Sequence, residues 1–247
     1  MLQQDYKINF NDLLTERDEI VGRPIVINLD KDTKRWDDMC EHLSKWGITP
    51  ERYPAISGVK LPSVPASMLE HECSIGLNLT HAAISRHCYI HTKKMFWLVL
   101  EDDCRFLKNP KEIVFETLET LVRNKTDWSV ISFGCFSYDN QAKKPELNQD
   151  STVLTQPAKW YPWGTHSYLM NRAHSMSLAA AWSLCVNPAD HLLIHEYNIK
   201  RGYLRRPSIT YQEEYPSYRG GSPKTIEKAD LSPDLIRKIY QDKLNNR

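Results

Sequence analysis

The chain has 247 residues, 26% of them charged and 41% hydrophobic, which is the make-up of a globular protein long enough to bury a sizeable core. With 32 lysines and arginines against 31 acids, the bulk charge gives no basis for a nucleic-acid or membrane partner, although a local patch can still serve one. No run approaches 18 apolar residues, so no membrane-spanning helix is expected.

The opening "MLQQDYKINFNDLLTERDEIVG" carries charges where a signal peptide needs an apolar stretch, and it reads as an appended helix over residues 1–22. That leads to the expectation of a cytoplasmic protein whose six cysteines, none in a C-x-x-C pair, are reduced. "RPIVINLD" reads as a short buried strand. "DKDTKRWDDMCEHLSKWG" follows as a helix with Trp36, Met39, Cys40 and Leu43 on one face and Gly47 as its stop. "ERYPAISG" gives a second strand and "VKLPSVPASM" a proline-bearing loop.

"CSIGLNLTHAAISRHCYIHTKK" is a long helix feeding the strand "MFWLVLEDD". "NPKEIVFETLETLVRN" is a helix with Asn109 as cap and Pro110 at its first position, and "DWSVISFG" is the next strand. "SYDNQAKKPELNQDS" reads as a surface loop. "KWYPWGTHSYLMNRAHSMSLAAAWSL" holds a strand and a helix, and "NPADHLLIHEYNIKRG" another helix. An extended tail and a last helix from about Pro233 complete the chain. This alternation predicts a mostly parallel sheet covered on both faces, within one domain over residues 23–215 and a tail over 216–247.

The strand Phe96–Leu100 runs straight into Glu101, Asp102 and Asp103. Three adjacent like charges repel, so a positive partner is expected. Ligands of parallel α/β sheets sit at the carboxyl ends of strands. Alternation lets Glu101 and Asp103 converge while Asp102 turns aside, which suits a hard divalent cation, Mg²⁺ or Mn²⁺. The plainer alternative is that the acids cap a helix or solvate a loop. His87 and His91 have i, i+4 spacing, but no third zinc ligand accompanies them.

Several stretches together resemble glycosyltransferase family 25. "IVINLDKDTKRWDDM" is similar to its opening strand and helix at Ile27, Asn28, Leu29, Asp30 and Arg35. "RYPAISG", "IGLNLTHAAISRH", "LVLEDD" and "GTHSYLMNRAHS" follow in the family's order, with Leu77 and Thr80 departing from the family's usual cysteine and serine. The resemblance covers about residues 24–200. It implies a GT-A-type, Rossmann-like sheet flanked by helices, and inverting transfer of a hexose, galactose or glucose first, from a UDP-sugar to a hydroxyl of a saccharide or glycoconjugate, as in lipopolysaccharide biosynthesis. Glu101 and Asp103 would hold the metal, with Asp102 between them in the donor site.

Under the same resemblance Asn28, Asp30 and Arg35 cradle the nucleotide, Arg35 reaching a phosphate. The plainer roles are a helix N-cap for Asp30 and a solvated side chain for Arg35. Thr80 and His81 would position the donor, with a satisfied buried histidine as the alternative. Gly164 and Thr165, among Trp160, Tyr161, Trp163 and Tyr168, would let a sugar approach the backbone and stack on aromatic faces. The resemblance makes Asp190 the expected general base, with His191, His195, Glu196, Glu213 and Glu214 as rivals, or else Asp190 is a helix first-turn charge. The run Lys200, Arg201, Arg205 and Arg206 would grip the diphosphate or an anionic acceptor, or is simply a solvated face. Modified DNA or protein as the acceptor, a non-catalytic nucleotide-sugar-binding protein and a metal-dependent phosphoesterase stand as alternatives.

Overall fold

The computed structural model describes residues 17–58, 72–91, 93–124, 126–134, 153–155, 164–198, 201–206 and 209–213. The chain divides into two compact units, Met1–Glu213 and Glu214–Arg247, and the second lies outside the described residues together with the last predicted helix. Also outside are the proline-bearing loop, the predicted loop after Phe136, and Trp160, Tyr161, Trp163 and Lys200.

A short helix α1 (Arg17–Ile20) precedes strand β1 (Ile25–Asn28), helix α2 (Thr33–Ser44), strand β2 (Glu51–Pro54) and helix α3 (Glu72–His91). Strands β3 (Phe96–Glu101) and β4 (Cys104–Phe106) lead to helix α4 (Pro110–Arg123), then strands β5 (Val130–Ser132), β6 (Val153–Thr155) and β7 (Ser167–Asn171). Helices α5 (Arg172–Ser183) and α6 (Ala189–Asn198) are followed by strands β8 (Gly202–Arg206) and β9 (Thr210–Gln212). The seven-stranded main sheet has the order β2-β1-β3-β7-β5-β8-β6, and β4 pairs with β9 in a separate two-stranded sheet.

Five strands of the main sheet share one direction, while β7 at its centre and β6 at its edge run the other way. The mixed α/β class and the flanking helices agree with the sequence reading. The central antiparallel strand is a difference from it. The chain returns to β7 after more than thirty residues beyond β5, long enough to bring a strand back in either direction.

Side chains alternate across the sheet and sort the helices into two layers. Val26, Leu98, Leu100, Ile131 and Leu169 face Met39 and Leu43 of α2 and Ile113, Leu118 and Leu121 of α4. Ile25, Ile27, Trp97, Val99, Tyr168 and Met170 face Ile84 and Cys88 of α3, Leu178 and Trp182 of α5, and Leu193 of α6. Ile20 and Val21 join the first layer, with the Met95 amide donating to the Ile20 carbonyl at 2.8 Å. Two of the predicted helix ends are present: Asn109 accepts from Lys111 N, and Gly47 takes φ +67° just past α2; the N-cap position of α2 falls to Asp32 and not to Asp30.

Asn171 caps α5 by accepting from Ala173 N at 3.0 Å and also donates to the Trp128 carbonyl at 3.0 Å, tying the helix start to the segment that leads into β5. Asn171→Ala is expected to lower stability by about 1–2 kcal/mol, read as a lower urea midpoint at unchanged slope.

The order β2-β1-β3 has one consequence for the site. The chain leaves β1 through α2 to reach β2 on one side, then returns through α3 to β3 on the other. Since α2 and α3 cover opposite faces, the winding reverses at the carboxyl ends of β1 and β3, the place where ligands of such sheets bind.

Candidate functional site

Asn28 ends β1 and is 1% exposed, with contacts toward both neighbouring strand ends and the loop that follows it. Its amide donates to Asp102 Oδ2 at 2.7 Å and to the Asp32 carbonyl at 3.0 Å, while its Oδ1 accepts from Arg52 Nε at 2.9 Å. Arg52 lies on β2, opposite Val26 in the parallel register, and its other end pairs with Asp30 at 2.9 Å. Asp30 is 81% exposed, so that pair is a surface one.

The positive group that meets the acidic strand end is Arg35, in the first turn of α2. Its Nη2 lies 2.6 Å from Asp102 Oδ1 and 2.8 Å from Asp103 Oδ2, and all three side chains are largely buried. Burial pushes the Asp102 carboxyl up to about 6, against the opposing pull of Arg35 and Asn28. Burial likewise raises Asp103, with Arg35 and the Gln212 amide working against it. The sequence reading gave Arg35 to a phosphate; the structure seats it on the acids.

Glu101 and Asp103 turn to a different neighbour. Gln212 Nε2 lies 3.1 Å from Asp103 Oδ1 and 3.5 Å from Glu101 Oε2, so one amide nitrogen faces both carboxylates. Glu101 Oε1 accepts from the Thr165 hydroxyl at 2.6 Å. The residue before it, Gly164, has φ +106°, a conformation that favours glycine. The antiparallel entry of β7 thus brings Thr165 beside the acids, as the Glu101 N to His166 O bond of 2.9 Å shows. Arg105, buried just beyond, donates to the carbonyls of Asp102 (3.1 Å) and Cys104 (2.8 Å) and pairs with Glu213 at 2.7 Å.

The other expected residues lie apart from this cluster. Thr80 and His81 are both fully buried within α3. Thr80 accepts from Ile56 N at 2.9 Å and donates to the Gly76 carbonyl at 2.7 Å, fastening the loop after β2 to the helix. The His81 ring stacks on Trp182 at 5.0 Å between centroids, and its Nδ1 lies 2.9 Å from the Tyr168 hydroxyl. That is a core placement for His81, and Tyr168 is a core aromatic.

Asp190 is half-buried in the first turn of α6, and its Oδ1 is buried with no hydrogen-bond partner among the described residues. Helix α6 packs on β8, the strand it feeds, so its amino end lies toward the carboxyl edge of the sheet, the edge that carries the acids. Asn78 of α3 reaches the same turn, donating to the Asn187 carbonyl at 2.7 Å.

Of the basic run, Arg201 and Arg205 are engaged with acids other than Glu101, Asp102 and Asp103. Arg201 pairs with Glu196 at 3.6 Å and its carbonyl accepts from Ser129 N, at the opposite edge of the sheet. Arg205 is buried against Glu116 of α4 at 3.4 Å. His87 and His91 sit 5.1 Å apart, ring to ring, at the far end of α3, with His87 Nε2 at 3.9 Å from Glu51.

Arg52, Arg105 and Gln212 were missed from the sequence, while Glu213, a rival candidate for the general base there, pairs with Arg105 in the structure. Arg52 had a signal in the neighbouring strand's parallel register. Gln212 had none, since its contact with Asp103 spans 109 residues of chain.

Two buried histidines, His81 and His166, and the half-buried His42 give the fold an acid limit. Burial lowers His42 to about 4, His81 to about 3 and His166 to about 4, so all three are neutral when folded. A histidine depressed below its unfolded value of about 6.5 contributes stability above that pH and loses it as pH falls toward the folded value. Asp102, raised to about 6, works the other way between pH 6 and about 4, and offsets part of the loss. Stability is therefore expected to fall between pH 6.5 and 4.5, by on the order of 1 kcal/mol per pH unit for each unbalanced proton, as urea titrations at the two pH values would show.

Among the described residues no group of three His, Cys, Asp or Glu side chains is placed to hold a metal. The donor set does suit a hard divalent cation once the amide is included: two carboxylates face one point, and Gln212 carries an oxygen beside the nitrogen that occupies it. No helix of the described residues is long and apolar enough to cross a membrane, and the five described cysteines are free.

No protein-family model and no curated protein sequence matches the chain. Among solved structures it is similar to a glycosyltransferase involved in glycosylation of the major capsid of PBCV-1, at 12% identity and a TM-score of 0.44, over 84% of this chain and 98% of that one. It is also similar to mouse xyloside xylosyltransferase 1 in its apo form, at 11% identity and a TM-score of 0.36, over 74% of this chain and 64% of that one.

Proposed function

We propose that this chain is a metal-dependent inverting glycosyltransferase that takes a hexose from a UDP-sugar and delivers it to a hydroxyl of a saccharide or glycoconjugate. The observation that carries the reading is the convergence of Glu101 and Asp103 on one point at the carboxyl end of β3, where the winding of the sheet reverses. The family 25 resemblance over residues 24–200 supports it from the side of sequence.

Glu101 and Asp103, with Mn²⁺ or Mg²⁺ the expected ion, would hold the cation. When bound, it neutralises charge on the departing diphosphate. Asn28 and the backbone after β1 line the nucleotide side, where Asn28 is already fixed by Arg52 and Asp102. Arg35 balances Asp102 and Asp103 in the structure described, and a diphosphate entering beside them gives its guanidinium a second anionic partner. In the transfer the acceptor oxygen forms a bond to the anomeric carbon as the bond to the diphosphate oxygen breaks. Asp190 takes the acceptor hydroxyl's proton.

The test is thermal stability against a panel of nucleotide-sugars with and without Mn²⁺. A Mn²⁺-dependent rise with one UDP-sugar, lost in Asp103→Ala, supports the donor site. No rise with any nucleotide-sugar, at concentrations where UDP also fails, overturns it.

A further inference from the structure

Resting on the metal-dependent reading above, we infer that Gln212 is a working part of the cation site. It holds Glu101 and Asp103 together through its amide N–H when no cation is bound, and turns its amide oxygen to the cation as a third ligand when one is.

The placement of this side chain is built, not incidental. β9 pairs with β4, the strand that begins immediately after the acids, and puts Gln212 opposite Cys104. The backbone around it is held on both sides. Thr210, two residues earlier, is 3% exposed and its hydroxyl lies 2.7 Å from the Ser167 hydroxyl. Glu213, the residue after, donates its amide to the Asp103 carbonyl at 2.8 Å and pairs with Arg105 at 2.7 Å. A side chain on so fixed a strand reaches the same point whether or not the site is filled.

The chemistry of the amide suits both states. Two carboxylates facing each other repel, and a neutral N–H donor shared between them is a weak remedy. Rotation of the amide plane by half a turn replaces the donor with a carbonyl oxygen at nearly the same place. Hard divalent cations accept amide oxygens beside carboxylates, which leucine at this position cannot supply and glutamate would oversupply. Gln212 then acts with Glu101 and Asp103 as an all-oxygen set drawn from two sheets, β3 with the turn after it and β9.

The experiment is Mn²⁺ titration of the full chain at neutral pH, reading free Mn²⁺ by its electron paramagnetic resonance signal, alongside thermal stability with and without Mn²⁺. Gln212→Leu is expected to weaken Mn²⁺ binding at least about tenfold. Gln212→Glu is expected to lower the melting temperature without metal, because a third carboxylate is added, and to show a larger Mn²⁺-induced rise than the unaltered chain. A side chain with only a structural role would not give that opposed pair of shifts. If Gln212→Leu binds Mn²⁺ as the unaltered chain does, or Gln212→Glu gains no extra rise, the inference is overturned while the metal site stands. If the unaltered chain binds no Mn²⁺, or Asp103→Ala binds it equally well, the metal reading fails and takes the inference with it.

Discussion

Replacing Arg35 by leucine is expected to cost about 3 kcal/mol of folding stability near neutral pH. The guanidinium sits within 2.8 Å of both Asp102 and Asp103, in a place where all three side chains are largely removed from water. Deleting one member of such a group leaves the others as uncompensated buried charges, which is costlier than the pair is valuable. The carboxylates can escape by taking up protons, and burial has already raised both. The defect should therefore shrink at pH 5, where protonation relieves the repulsion, and grow at pH 7.5. Adding Asp102→Asn to Arg35→Leu should recover a large part of the loss, because an amide beside Asn28 carries no charge. Urea unfolding of the four species of this double-mutant cycle at both pH values is the measurement. A cost below about 1 kcal/mol at both pH values would show that the acids are neutralised in some other way.

The second large effect is expected at Gly76, within α3. A methyl group there would fall on the Ile56 carbonyl oxygen and lie 2.7 Å from Gly58 N. Both obstacles are backbone, so no side chain can rotate aside. Alanine is favoured over glycine in a helix interior by about 1 kcal/mol, so on an open helix the substitution would stabilise. Here Gly76→Ala is expected to destabilise by about 2–3 kcal/mol net, since α3 must move away from residues 55–58. That displacement would also break the Thr80 bonds to Ile56 N and to the Gly76 carbonyl. For a unit of this size the melting temperature should fall by roughly 4–12 °C. A stabilising outcome would mean that the loop after β2 is not seated on the helix.

Local periodicity and capping made much of this readable in advance. The run from β1 to β3, the helix stripe of Met39 and Leu43, and the Asn109 cap all depend on residues within a few positions of one another. The acidic strand end was legible too, as was the need for a positive partner. What escaped depends on pairing across long separations. Nothing in "TYQEE" announces that Thr210–Gln212 pairs with Cys104–Phe106, yet that register delivers Gln212 and Glu213 to the acids. The direction of β7 was hidden because a strand reads alike in either sense. His81 illustrates a different limit. A polar residue in an apolar helix reads as a site candidate, and only the ring faces of Tyr168 and Trp182 identify its buried place.

The central position of β7 also bears on the order in which a growing chain can take shape. Strands β1, β2 and β3 come early and pair with one another, so that half of the sheet has its neighbours once residue 101 has been made. Strand β5 is synthesised next, but its partners β7 and β8 begin only at Ser167 and Gly202. Its apolar edge must wait through the intervening stretch, and β7 then joins the two halves by pairing with β3 on one side and β5 on the other. Helix α4, with Ile113, Leu118 and Leu121, is made just before β5 and can shelter it during that interval. A ribosome paused short of residue 167 would therefore carry a chain with one half of its sheet complete and the other half held against a single helix.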